Sequence, residues 1–587
     1  MIAINDKQLE SLCWDYLEKG YNDDMASYAA DFETTTTADD CRVWAFAACN
    51  VNEPDALAFG NNIDDFISWC EVNSGSRVYF HNLKFDGKFI VSYLLQDGWK
   101  WIPVKEEADE KTFTTLISDM NQWYSIKIWF TENKCVEFLD SLKIIPLPIA
   151  AIPKAFGLPI SKLDLDYAAP REIGHELTED EKAYISNDVK IAAMALKIMF
   201  DQGMKRMTAG SNAFKDYQET IGGKLRFRDW FPEPDYDREL REGGCYKGGF
   251  CSMKEEKQGV VTGAGISFDV NSLYPSVMAG VDGELLPYGE PIYYEGEYEY
   301  DEEYPLYIQF VECDFKVKPE HIPCIQLKGN GRFVPTEYIK DSNGLVTMCL
   351  TSVDIEMLFK QYNVGDYRAI RGYKFKGSTE LFKDYVYKWN KIKVQASIDG
   401  NDGLRTIAKL ELNSLYGKLA TNPVKQSRMP YLDDDGIVKY KLLNEEYAEA
   451  IYLPCGAFIT SWARRKTITA AQNNYSRWLY SDTDSCYFEG TEMPVGMTID
   501  DNELGAWKLE HRFDRFKGLG AKAYCFEENG DLTVHCAGMP YRCHNVVSME
   551  NFNVGGSFAG KLKPVDVKGG TILVEDVYTI RDRRSKQ

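Results

Sequence analysis

The sequence predicts a multidomain protein of mixed α/β and α+β class, and three observations carry that expectation. The chain has 587 residues, enough for several domains with cores of their own. Its content of 44% hydrophobic and 13% aromatic residues is that of globular proteins rather than disordered ones. Strand-like apolar runs that end in acidic residues occur beside long stretches patterned as helices.

Along the chain, the first patterned run is Ser27 to Thr34, SYAADFET, which ends in Asp31 and Glu33. An i, i+2 pair on a strand faces one side. Val78 to Ile90, VYFHNLKFDGKFI, places Asp86 just after a second strand-like run. Thr178 and Glu181 have the spacing of a capping box and start a helix towards Phe200. On that helix Tyr184 and Asp188 are four apart and share a face. Four carboxylates from two strands, a loop and a helix can hold two divalent ions, with Tyr184 positioning an attacking water. A capped surface helix is the alternative account of Asp188.

Further on, Cys245 to Phe250, CYKGGF, carries Tyr246, Gly248 and Gly249. Paired glycines allow close backbone approach to a phosphate chain, and a simple turn is the alternative. In Ser267 to Pro275, SFDVNSLYP, Asp269 lies in a strand-like stretch that breaks at Asn271 and Ser272. Tyr274 precedes Pro275 and is thereby biased away from helix. Arg405 to Ala420 reads as a helix with Ala408, Leu412, Leu415 and Leu419 on one stripe and Arg405, Lys409, Asn413 and Tyr416 on another. Two cations, an amide and an aromatic ring pointing one way suit a triphosphate and a base. Lys388 and Lys393 add positive charge upstream. Trp478 to Phe488, WLYSDTDSCYF, reads as a hairpin with Asp482 and Asp484 at its tip. An isolated DxD is also a common solvated turn. Together with Asp269, and with no basic residue beside them in sequence, these acids suit a hard divalent cation that takes carboxylates, waters and phosphates. Two such ions about 3.5–4 Å apart clamp both oxygens of a phosphoryl transfer.

A net charge of −23 argues at first against nucleic acid, since phosphates are neutralised by Lys and Arg. The distribution reverses the inference. Residues 360–428 hold 14 Lys and Arg against six acids, whereas residues 290–303 hold seven acids and no base. Such segregation presents a basic working surface on an acidic body. The 15 cysteines form no CxxC pair, so neither a disulfide framework nor a zinc ribbon is indicated. His535, Cys536, Cys543 and His544 fit no common zinc spacing and read as local packing. The longest apolar run, Ala450 to Ala463, is short and interrupted by Pro454 and Gly456, so no membrane association and a cytoplasmic location are expected.

The ordered set DxE, HNxxxD, YxxxD resembles the motifs of DnaQ-type 3′–5′ proofreading exonucleases, whose fold is RNase H-like. That resemblance implies Asp31, Glu33, Asp86 and Asp188 as metal ligands, with Tyr184 and Lys162 assisting. Asn82, Phe85, Ser141 and Leu142 would hold a single-stranded 3′ end. Downstream, DxxSLYP, KxxxNSLYG, TxxAR (Thr460, Ala463, Arg464), YxDTDS and KxY (Lys522, Tyr524) resemble family B DNA polymerases in order and spacing. The fuller wording DVNSLYP, LNSLYGK, ITSWAR and CAGM is similar to the protein-primed subgroup. The match runs from Asp31 to the end of the chain.

The resemblance implies Asp269 and Asp484 as ligands of the catalytic metals, with Asp482 beside them. Tyr274, Asn413 and Tyr416 would line the nucleotide pocket, and Lys388, Lys393, Arg405 and Lys409 would grip the triphosphate. Tyr246, Gly248, Gly249, Thr460, Arg464, Lys522 and Tyr524 would contact DNA. The implied fold is an RNase H-like exonuclease domain over 1–208, then a right-hand polymerase. Its palm would span 209–280 and 453–545, its fingers 381–421 and its thumb 546–587, with terminal protein regions inserted at 281–380 and 422–452. The implied cofactor is Mg²⁺, two ions per active site, with Mn²⁺ as a substitute. The implied partners are primer-template and single-stranded DNA, dNTPs and a terminal protein primer, the enzyme acting as a monomer or as a heterodimer with that protein. The rivals are a family B polymerase without a protein primer and a non-catalytic nucleic-acid-binding descendant. Four features depart from the family pattern: the acidic total, the loop IDGNDG, Arg405 where a lysine is common, and extra residues before Asp31.

Overall fold

In the computed structural model of the chain, residues 25–582 are described apart from 104, 167–168 and 329–332. The extra N-terminal residues and the last five of the expected thumb lie outside the described residues.

The first part is an eight-stranded mixed sheet. Its strands are β1 (Ser27–Thr34), β2 (Val43–Asn50), β3 (Glu53–Gly60), β4 (Arg77–Phe80), β5 (Lys100–Trp101), β6 (Thr112–Ile117), β7 (Trp123–Thr131) and β8 (Lys134–Asp140), in the order 3-2-1-4-8-7-6-5. β1, β4 and β8 run parallel at its centre. Helices α1 (Ile63–Val72) and α2 (Leu83–Gln96) cover one face around Phe32, Phe66, Phe80 and Phe138. Helix α3 (Glu179–Asp201) covers the other, packing Tyr184, Ile185 and Val189 on Ala29, Trp44 and Ala47. This explains why β2, VWAFAACN, is apolar without alternation: both of its faces are buried. The capping box of α3 is present with both hydrogen bonds, and the helix runs to Asp201. Asp86, read from sequence as a loop residue, lies in the first turn of α2, because left-handed Asn82 (φ 75°) turns the chain into helix directly after β4.

A five-stranded antiparallel sheet forms the centre of the second part. Strands β9 (Cys251–Met253), β11 (Gly265–Val270), β18 (Trp478–Asp482), β19 (Ser485–Glu489) and β20 (Trp507–Phe513) are ordered 20-11-19-18-9. Beside it, β10 (Val261–Thr262), β21 (Arg515–Gly520), β22 (Ala523–Glu528) and β23 (Asp531–Cys536) make a four-stranded sheet. A third sheet joins β12 (Leu286–Glu295), β13 (Leu306–Val317), β14 (Val346–Thr351) and β15 (Tyr362–Ser378).

The helices of this part are α4 (Ala209–Thr220), α5 (Leu273–Met278), α6 (Ser352–Gln361), α7 (Lys383–Ile398), α8 (Asp402–Leu419) and α9 (Leu453–Asn473). Helix α9 is buried on nearly every side and backs the five-stranded sheet, while α7 and α8 form a pair beside its acidic edge. Two hairpins, β16 (Val424–Leu432) with β17 (Val438–Tyr447) and β24 (Ser557–Val567) with β25 (Gly570–Thr579), reach back to the first sheet. Tyr274 lies in α5, against its pre-proline bias. Left-handed Ser272 starts that helix, and Pro275 falls in the first turn, where its missing N–H costs no hydrogen bond. Among the described residues no helix is long and apolar enough to cross a membrane.

Candidate active sites

The end of β11 meets the β18–β19 turn. Asp269 pairs in register with Ser485, and Val270 N–H donates to the Asp484 carbonyl at 2.9 Å. Thr483 takes a left-handed conformation (φ 58°) at the tip, and its N–H bonds the Phe250 carbonyl. An open cleft of about 470 Å³ lies here, lined by Asp269, Asp484, Glu510, His511 and Tyr524. Burial, then the charges of Asp484 and Glu510, push the Asp269 carboxyl up to about 8, with Lys508 opposing. Asp484 is raised as well, by burial first and then by Asp482 and Glu510. Carboxylates that repel one another at a half-buried strand end are what a cation relieves. Among the described residues no group of three or more His, Cys, Asp or Glu side chains forms a metal site by itself. Two carboxylates nevertheless suffice for Mg²⁺ when phosphates and waters complete its shell.

Asp482 lines the same cleft but differs from this pair in having its own cation. Its carboxylate accepts from Lys522 Nζ at 2.8 and 3.0 Å and from the Tyr480 hydroxyl at 3.1 Å. The hairpin tip is therefore not without a base, contrary to the sequence reading, because the turn between β21 and β22 brings in a lysine that lies 40 residues away in sequence. Tyr524 stacks on His535 at 4.8 Å between centroids and shares a hydrogen bond with the Tyr487 hydroxyl. Near it, the Cys536 thiol meets the Tyr578 hydroxyl and the Cys543 thiol donates to the Phe558 carbonyl, so these cysteines are held by packing contacts.

Across the cleft, Tyr274 and Tyr416 stack with centroids 4.0 Å apart. Gly249 is required here: a Cβ would fall 2.8 Å from both Tyr274 Oη and Thr483 Oγ1, whereas one on Gly248 would meet nothing within 4 Å. Tyr246, half-buried, lies under Lys328, whose Nζ bonds its carbonyl. On α8, Arg405, Lys409 and Asn413 are exposed along the stripe that ends at Tyr416. Lys393 of α7 reaches the Ser272 hydroxyl at 3.2 Å. Burial, then the charges of Lys409 and Arg405, lower the pKa of Lys393, and burial, then Arg405 and Lys508, lower that of Lys409. Among the described residues neither has an ion-pair partner. A cluster of cations crowded enough to disfavour its own charge is a receptor for a polyanion.

Three further expectations change. Lys388 is bound to Asp216 of α4 at 2.7 and 2.8 Å, on a different side of α7 from Lys393. Thr460 is fully buried and donates within α9. Arg464 is also buried, holding Asp354 with two hydrogen bonds and the carbonyls of Lys247 and Gly248 at 2.8 and 2.9 Å. These two side chains brace the interior and present no surface to DNA. Sequence reading also missed Lys508 and Glu510. Both lie on β20: Lys508 is in register with Asp269, and Glu510 falls at a bulge between Leu509 and His511 and lines the cleft.

The second acidic cluster sits on the first sheet. Asp31 and Glu33 come from one strand, β1, with Asp86 from α2 and Asp188 from α3. Burial, then Asp188, push Asp31 up to about 7. Glu33 and Asp86 are raised well above the carboxylate range, by burial first and then by Asp31. Burial raises Asp188, and Lys162, which hydrogen-bonds it, opposes the rise. Asp188 Oδ1 is buried with no hydrogen-bond partner, an oxygen left over for a cation. Lys162 Nζ lies 5.5 Å from the centre of the buried Tyr184 ring. Beside the cluster, Asn82 is exposed and Phe85 and Leu142 are half-buried. Asp140 ties this rim together by accepting the N–H groups of Asn82 and Leu142, each at 3.0 Å. Ser141 is buried between His81 and the Phe80 carbonyl, which gives it a bracing position.

A family model described as DNA polymerase type B, organellar and viral, matches residues 70–176 and 170–503. The DNA polymerase of Bacillus phage Nf is 42% identical over 581 residues, covering 94% of this chain and 99% of that one. A solved structure of phi29 DNA polymerase complexed with primer-template DNA and incoming nucleotide superposes with TM-score 0.89 at 40% identity, covering 95% of this chain and 100% of that one. A second, of phi29 DNA polymerase with single-stranded DNA, gives 0.88 at the same identity and coverages. Two acidic centres and a cation-lined cleft on such a fold define a DNA polymerase. The chain belongs to the type B DNA polymerases of organelles and viruses, and it is similar to the phi29-type phage enzymes.

Proposed function

We propose that this polymerase starts from a hydroxyl on a terminal protein, continues from a DNA 3′-OH, and removes misplaced nucleotides 3′–5′ at a separate site. The observation that carries the two-site reading is the pair of acidic centres on different sheets. Asp269 and Asp484 face the cations Lys393, Arg405 and Lys409, whereas Asp31, Glu33, Asp86 and Asp188 have Lys162 and Tyr184 beside them.

At the first centre Asp269 and Asp484 would hold the metal, and the α7–α8 cations would bind the triphosphate. Mg²⁺, or Mn²⁺ in its place, supplies there the lowered pKa of the attacking hydroxyl and the charge that stabilises departing pyrophosphate. Tyr274 and Tyr416 would separate to receive the sugar and base, with Asn413 at the edge. Lys522 keeps Asp482 neutralised and oriented. At the second centre Asn82, Phe85 and Leu142 would hold a single-stranded end, Phe85 by stacking, while Lys162 and Tyr184 would orient water.

The same reading assigns 1–208 to exonuclease, 209–280 and 453–545 to palm, 381–421 to fingers, 546–587 to thumb, and 281–380 and 422–452 to the terminal protein regions. Processive strand displacement is supported by two hairpins that each contact the first domain. Arg428 of the β16–β17 hairpin donates to the Asp119 carbonyl at 2.8 Å, and Lys88 of α2 pairs with Asp566 of β24. The partners proposed are primer-template and single-stranded DNA, dNTPs and a terminal protein, and the phage relatives support action in the host cytoplasm.

The test is extension of a primer on a singly primed circle with Mg²⁺ and four dNTPs. Wild type is expected to make products longer than the circle, and Asp484→Ala to add nothing yet still degrade single strands. Loss of both activities in a folded Asp484→Ala variant would remove the two-site reading. Incubation with labelled dATP and a terminal protein, giving nucleotide covalently bound to protein, tests the priming step.

A further inference from the structure

We infer that His535 binds the growing DNA strand, its ring N–H donating to a backbone phosphate behind the 3′ end. The inference rests on the reading of Asp269 and Asp484 as the nucleotide-addition centre. The cleft that holds those carboxylates is also lined by Tyr487, Lys522, Tyr524 and His535. Its floor can be followed outward from the carboxylates. Tyr487 is in register with Ser267, two residues before Asp269 and so on the same face of β11. The Tyr487 and Tyr524 hydroxyls meet at 3.1 Å, and Tyr524 is in register with His535 across β22 and β23. A strand whose 3′-hydroxyl lies at the carboxylates has this floor beneath it as it runs back towards His535.

The imidazole at that point is fixed in place and free at its edge. Its ring lies nearly flat on Tyr524, with centroids 4.8 Å apart and planes 20° from parallel, and the Phe526 ring is 6.2 Å away. His535 is exposed, and among the described residues its ring nitrogens have no hydrogen-bond partner. The groups around it are engaged: Lys522 holds Asp482 through two hydrogen bonds, the Tyr524 hydroxyl meets that of Tyr487, and His511 Nδ1 pairs with Glu528 at 3.0 Å. Burial, then the charges of His511 and His544, lower the pKa of His535, with Asp482 opposing, so at neutral pH the ring is uncharged and carries one N–H donor. Stacking occupies a face of the ring and leaves the edge, where that donor lies, to the cleft. A contact of this kind holds the strand in register without reading its sequence, since phosphates position a duplex and base edges specify it. The competing account is that His535 only packs on Tyr524 and keeps that ring in place.

The full-length enzyme separates the two accounts. Affinity for primer-template without Mg²⁺ is compared for wild type, for His535→Phe, which keeps the stack and removes the donor, and for His535→Gln, which keeps a donor and removes the stack. Each is also measured on primers carrying a single uncharged methylphosphonate linkage at successive positions behind the 3′ end. A hydrogen bond to a charged group corresponds to roughly tenfold or more. His535→Phe is expected to weaken binding by about that factor, and His535→Gln to recover most of the loss. A methylphosphonate at one position is expected to weaken wild type and to leave His535→Phe unaffected, which identifies the phosphate held. Single-strand degradation in Mg²⁺ by the same preparations is expected to stay unchanged and reports folding. Should His535→Phe not fold, His535→Ala and His535→Gln are read on the same linkages. Binding by His535→Phe equal to that of wild type, or the same methylphosphonate profile for both, overturns the inference. Failure of the wild type to extend any primer overturns the reading of the site and the inference with it.

Discussion

Arg464 gives the sharpest test of how the interior supports the cleft. Its side chain is 3% exposed and that of Asp354 is 8%, with Nη2 at 2.7 and 2.9 Å from the two carboxylate oxygens. Nη1 meanwhile holds the carbonyls of Lys247 and Gly248, directly before the glycine that abuts Tyr274. Replacement by Met leaves the Asp354 carboxylate buried without its counter-charge, a loss that costs about 3–5 kcal/mol. Replacing both partners, Arg464→Met with Asp354→Leu, removes the uncompensated charge and is expected to recover much of that loss. Urea unfolding of wild type, both singles and the double measures the coupling directly. Burial alone would raise the Asp354 carboxyl, but the charges of Arg464 and Lys247 hold it below its ordinary 3.8. The pair's contribution is therefore full above that value and is lost as pH falls below it. If Arg464→Met instead unfolds like wild type while its DNA affinity drops and its salt slope shrinks by about one, Arg464 contacts a phosphate and the bracing argument is wrong.

Other consequences follow from the same geometry. Gly249→Ala forces a Cβ to 2.8 Å from Tyr274 Oη and is expected to cost about 1–3 kcal/mol of stability with a matching loss of nucleotide affinity, whereas Gly248→Ala, facing open space, leaves both unchanged. Lys409→Ala should raise KM for dNTP about tenfold, since it removes a charge-assisted contact to phosphate. Lys388→Ala should leave that constant alone and cost at most about 1 kcal/mol, because its partner is Asp216 near the surface. Buried Glu411 is pushed up to about 8, mainly by burial, and so stays protonated in the folded chain after the unfolded chain has ionised. Stability therefore falls as pH rises from the ordinary 4.5 towards 8, and Glu411→Gln is expected to flatten that decline in thermal unfolding measured at pH 5 and pH 8.

Local pattern carried much of this protein into view. The hairpin around Asp482 and Asp484, the capping box of Thr178 and Glu181, and the cationic stripe on Arg405, Lys409, Asn413 and Tyr416 depend on neighbours a few residues apart. Spacing sets those neighbours, so the sequence alone determined them, and the order of the motifs determined the family. What it could not give is whatever depends on burial or on a partner distant in the chain. Thr460 and Arg464 read as DNA contacts, yet α9 is buried on nearly every side, and Asp354 makes the burial of Arg464 tolerable from 110 residues away. Lys388 and Lys393 read alike, until α4 takes one and the cleft the other. Lys522 reaches Asp482, and Lys508 comes to face Asp269, only because β22 and β20 fold beside a hairpin formed earlier in the chain. A charge has no role until the dielectric around it and its opposite number are known, and both are properties of the packed structure rather than of the string of residues.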